Sequence, residues 1–148
     1  MRMFLTLRIR GDHLNPDEVT RILGVSPHAS WRKGDRHVTR SNKEVVRRYG
    51  VWDWASKDES EALTVDGHVA RLRSTFQHAI ERLPQLPDVE SAWIDLHVVV
   101  GDEDEAVSNL SFLMGTEAIS TLSGIGLPME VTVDILPPRE EMLEAKAV

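Results

Sequence analysis

The chain of 148 residues contains no cysteine. That excludes disulfides, thiolate zinc sites and cysteine nucleophiles. Aromatic residues make up only 5% of it, with a single tyrosine, so its four tryptophans stand out. No stretch approaches the ~18 apolar residues of a membrane-spanning helix. The N-terminus does not read as a secretion signal, because Arg8 and Arg10 interrupt its apolar stretch. The six histidines, at 13, 28, 37, 68, 78 and 97, show no metal-ligand spacing such as H-E-x-x-H or H-x-H. There is no G-x-S-x-G and no P-loop. Gly124-Ile125-Gly126 follows a helical pattern instead of opening one, so it reads as a cap and turn, not a phosphate cradle. No metal and no cofactor is expected, and the location expected is the cytoplasm.

What is present is an ordinary globular composition, 41% hydrophobic and 28% charged. We expect one α+β domain over 1–138 and a tail at 139–148. The net charge is −7, unevenly placed: residues 1–60 carry 12 Lys and Arg against 8 Asp and Glu, and residues 61–148 carry 5 against 16. Overall acidity disfavours general nucleic-acid binding.

The first 27 residues organise the rest. Met3, Leu5, Leu7 and Ile9 alternate with Phe4, Thr6, Arg8 and Arg10, the period of a strand with one apolar face. Gly11-Asp12 turns the chain. Asn15 is placed as an N-cap, Pro16 as the first helical residue, and Glu18 where a capping box has its acid. Leu14 and Val19 are spaced as a hydrophobic staple, and Gly24 with Pro27 ends the helix.

A basic connection over 28–48 is expected as a loop. It is followed by a strand over 49–55, with Trp52 and Trp54 on one face and Val51, Asp53 and Ala55 on the other. Thr64 can cap a helix whose stripe is Val65, Val69, Leu72, Phe76, Ile80 and Leu83, ended by Pro84 and Pro87. Ser91–Val100 alternates as a strand, and 101–105 reads as an acidic turn. Residues 110–114 read as a short extended piece. A helix from Thr116 to Gly124 puts Ala118, Ile119 and Leu122 inside. A last strand over 128–136 lines up Met129, Val131, Val133 and Ile135. Such strands call for a two-layer α+β sandwich. We expect a mostly antiparallel or mixed sheet of four to five strands, helices on one face, ferredoxin-like with an extra helix.

Gly11, Asp12, Pro16, Val19, Thr20, Leu23, Gly24, Pro27, Lys33, Gly34, Asp35 and Trp52 resemble a bacterial family catalogued as domain of unknown function 4279. The resemblance runs through most of the chain to 133–136, where Leu136 replaces the family's closing Tyr; His28 stands where a Thr is usual. It implies a fold and carries no catalytic residues.

Two groups of residues are candidate sites. Trp31, Arg32, Lys33, Gly34 and Asp35, with Trp52 and Trp54, could form a ligand or partner surface. Alternatively, Gly34 makes a tight turn and the tryptophans serve as core or interface anchors. The second group is Asp95 and His97, two apart on one strand and so on one side. They share that side with Arg8, Arg10, Thr132 and Asp134. Ordinary ion pairing on a sheet face is the alternative. Three functions compete: a non-enzymatic protein-interaction or self-associating module, a small-molecule or nucleotide binder using Lys33-Gly34-Asp35, and an enzyme using Asp95 and His97.

Overall fold

The alternation at the start of the chain makes Arg2–Gly11 a strand, β1, which stands in the middle of the sheet. The chain continues through α1 (Pro16–Leu23), β2 (Ala29–Trp31), β3 (Arg36–Val38), β4 (Glu44–Val46), β5 (Gly50–Ser56) and α2 (Val65–Phe76). A 3-10 helix (Gln77–Gln85), β6 (Ser91–Val100), α3 (Thr116–Ile125) and β7 (Met129–Ile135) complete it. The computed structural model describes residues 1–57, 64–101 and 110–136. Five strands form a mixed sheet in the order β2-β5-β1-β6-β7, antiparallel except for the β6–β7 pair; β3 and β4 form a separate two-stranded sheet. The expected α+β architecture is met.

One face of the sheet is the core face. Leu5, Leu7 and Ile9 of β1, Trp52 and Trp54 of β5, and Ile94, Leu96 and Val98 of β6 are buried there. Val19 and Leu23 of α1 and Val65, Val69, Leu72 and Phe76 of α2 pack onto them. Phe76 meets Trp52 and Trp54 edge-on, with ring centroids 6.3 and 5.2 Å away. Trp52 is wholly buried, and its indole N–H donates to the Thr20 hydroxyl at 3.0 Å. That bond ties α1 to β5. β1 and β5 close tightly where Gly11 faces Gly50: a Cβ on Gly50 would lie 2.8 Å from the Gly11 carbonyl oxygen.

Several local expectations hold. Asn15 caps α1 by accepting from the Asp17 N–H, and Gly24 closes it in the left-handed region. Thr64 caps α2 through Gly67. Others are corrected. Glu18 does not complete a capping box, because Arg21, one turn on, takes its carboxylate. The 28–48 connection is not a plain loop but contains β2, β3 and β4. The helix expected over 65–83 stops at Phe76, where Gln77 takes φ 39°, and continues as 3-10. An α-helix carried through Pro84 would press its ring on the Ile80 carbonyl. Ala79 is buried there and Ile80 only partly. Residues 110–114 form no strand. α3 runs past Gly124 and is capped by Gly126 at φ 70°, and its Ile119 is 52% exposed. The acidic turn, apart from Gly101, and the 139–148 tail lie outside the described residues.

Candidate functional site

Two regions collect the residues singled out from the sequence. The first is the sheet face away from the helices. Arg8 and Arg10 project there from β1, Asp53 from β5, and Asp95 and His97 from β6. Arg8 forks between two strands, donating to Asp95 from Nε at 2.9 Å and Nη2 at 2.7 Å and to Asp53 from Nη1 at 3.1 Å. Arg10 donates to both oxygens of Asp53 and lies over the Trp93 ring, 5.2 Å from its centroid. Both carboxylates are buried, 8% exposed for Asp53 and 5% for Asp95. Burial works against the charge of Arg8. The hydrogen bond to Asp95 and the charges of Asp53 and Asp95 outweigh it and hold the guanidinium pKa above its ordinary value.

The expected neighbours Arg8, Asp95 and Thr132 do converge, the Thr132 hydroxyl lying 3.4 Å from Asp95. Asp95 and His97 do not act on each other. Asp95 belongs to Arg8, and the His97 Nε2 is 2.7 Å from Asp134. Asp53, the hub of this network, carries no motif of its own in the sequence. The signal for it was its position on the non-tryptophan face of β5; which strands neighbour β5 was not readable.

The second region is the basic connection. His28, just before β2, joins the chain to β5: its N–H donates to the Asp53 carbonyl, and its Nδ1 accepts from the Ala55 N–H. Lys33-Gly34-Asp35 is a tight turn. Gly34 sits at φ 90°, which favours glycine, and the Asp35 carboxylate takes the Arg32 N–H at 2.8 Å. Gly34 and Asp35 also bond to Arg47 across the base of the hairpin, and the Arg47 guanidinium stacks on Trp31, 3.9 Å from its centroid. Lys33 reaches Asp12 at 2.6 Å, and Arg32 reaches Asp17 and Asn15. Lys33 holds the Asp12 pKa below the usual carboxylate value. The Lys-Gly-Asp turn thus clamps a β3–β4 hairpin to the β1–α1 corner. Trp52 and Trp54 are not near its surface, since both lie in the core.

Beyond the clamp every residue of β3 and β4 is exposed. Asn42, at φ 60°, turns the tip, and Thr39 bonds to Lys43 across it. Arg36 pairs with Glu44, whereas Arg40, Lys43 and Arg48 meet no acidic side chain among the described residues. Val38, Val45 and Val46 are 59%, 41% and 53% exposed. Elsewhere, a groove of about 620 Å³ runs between α2 and α3, bordered by Arg73, His78, Glu117 and Thr121. An ion pair from Arg73 to Glu117 crosses it. Among the described residues, no group of three His, Asp or Glu is placed to hold a metal ion, and no helix is long and apolar enough to cross a membrane.

A family model described as Domain of unknown function (DUF4279) matches residues 1–136, and the chain belongs to that family. Compared with curated proteins and with solved structures, it matches none.

Proposed function

We propose that this member of the Domain of unknown function (DUF4279) family is a non-enzymatic protein-interaction module, and that its contact element is the β3–β4 hairpin. One observation carries the reading. A two-stranded hairpin, unstable by itself in water, is clamped at its base and leaves its aliphatic and cationic side chains to solvent. Val38 and Val46 share one face of this small element with Arg36 and Glu44, an exposed apolar patch with charged neighbours, the composition of a docking surface; Val45 is exposed on the other face.

The two alternatives have less support. The polar groups of Lys33-Gly34-Asp35 are engaged with the protein itself, which leaves that turn little with which to hold a nucleotide or small molecule. Asp95 and His97 are each committed to a different partner, so neither orients the other as acid or base.

Native mass spectrometry of untagged protein from its own source, across a salt series, tests the proposal. We expect a complex with a second polypeptide, self or other, that weakens as salt rises. The R40E/K43E/R48E variant should lose it. A complex that survives this triple reversal removes the hairpin from the interface. A bound small mass in place of a polypeptide favours ligand binding.

A further inference from the structure

The hairpin follows β2, one edge strand of the sheet, and the opposite edge has the complementary character. β7 is that other edge strand, about 19 Å from β2 across four strand spacings. Beyond β6 it has no pairing neighbour among the described residues. Its helix-side row is exposed: Val131 47%, Val133 41% and Ile135 73%. Its other row carries Glu130 and Asp134, both exposed. From residue 83 to 136 the sequence has no lysine or arginine and ten aspartates and glutamates. Residues 28–48 have seven Lys and Arg against two Asp and Glu.

An open edge strand is a template for another chain, and natural sheets commonly shield it. Here one end of the molecule offers a short strand pair with aliphatic and cationic side chains. The other offers a bare strand with aliphatic and anionic ones. We infer that the hairpin of one copy docks along β7 of a second copy, strand beside strand, with its Val38 and Val46 face on the side of the β7 valine row and the cations facing Glu130 and its neighbours. The inference rests on the hairpin being the contact element and names its occupant.

The two surfaces differ, so the contact is head-to-tail and leaves each copy with one unused end. One hairpin against one strand falls below about 1,200 Å² of buried surface, the size of transient contacts. Association should therefore be weak, salt-dependent and not halted at a dimer unless a ring closes.

Sedimentation velocity of the purified full chain, from about 10 μM to about 1 mM at low and high salt, reads this out. We expect a mean mass that rises with concentration at low salt and falls with added salt. R40E/K43E and E130K/D134K should each weaken association about tenfold or more, with unchanged tryptophan fluorescence as the check on folding. A chain carrying both pairs should recover to within about threefold, because reversed ends attract again. V38S/V46S should weaken association at every salt concentration, since it removes aliphatic contact and no charge.

A wild-type monomer throughout overturns the second copy as occupant; the hairpin reading survives it if R40E/K43E/R48E abolishes the complex from the source. Association lost in R40E/K43E but untouched by E130K/D134K overturns β7. Association indifferent to both overturns the inference; the hairpin reading falls as well if the complex from the source survives R40E/K43E/R48E.

Discussion

Asp53 shows how much one side chain can hold. It sits between Arg8 and Arg10, and Arg8 in turn holds Asp95 on the next strand. Side-chain exposures of 12% for Asp53 and 30% for Arg8 place the network between surface and buried ion pairs. Surface pairs contribute up to about 1 kcal/mol, and breaking a buried one costs about 3–5. Asp53→Ala should therefore cost about 2 kcal/mol, measured as a lowered urea midpoint; an unchanged midpoint would show the network to be decoration. Asp12 allows a prediction in pH. Lys33 depresses its folded pKa, so the stabilisation is present above the unfolded value of about 3.9 and is lost as pH falls through the folded one. An NMR titration of the Asp12 carboxyl should show a midpoint below about 3.9 that climbs back in Lys33→Ala. A midpoint indifferent to that substitution would remove the clamp.

Elements divide by how local their causes are. α1 was legible almost residue by residue, because Asn15, Pro16, Val19 and Gly24 act within one short helix. β1, β5, β6 and β7 were legible from alternation. The hairpin was not. Its three-residue strands carry no periodic signal, and its clamp joins Lys33 to Asp12, 21 residues away. The polar face of the sheet was partly legible: Arg8, Asp95 and Thr132 were expected together, but pairing Asp53 with Arg8 needs the β1–β5 register, which no local pattern states. The end of α2 was also hidden. Gln77 has no helix-breaking character, yet it takes φ 39°, a conformation that glycine adopts more easily. Gln77→Gly should therefore raise stability by about 1 kcal/mol. Differential scanning calorimetry checks this, and a lowered midpoint would place the cause of the break elsewhere.

At the scale of the whole molecule, pairing is deepest in the middle. β1 is bonded on both sides along most of its length, and β6 joins it to β7. The hairpin is a two-stranded sheet of its own, and β7 is an edge strand. Native-state hydrogen exchange should follow that gradient, with β1 amides opening only through global unfolding and β3–β4 amides exchanging through local motion. Equal protection in the hairpin and in β1 would contradict it. The gradient also fits the division of labour proposed above, with a rigid centre and contact surfaces on the hairpin and β7.

The central position of β1 has a consequence in time. Arg8 meets Asp53 across 45 residues of chain and Asp95 across 87. A ribosome adding about 5–20 residues per second delivers β6 roughly 4–17 s after β1. Throughout that interval the central strand of the sheet is out of the tunnel without its second neighbour. The nascent chain thus has a window in which Leu5, Leu7 and Ile9 are open to chaperones, and to the same strand on the next polysome-bound copy.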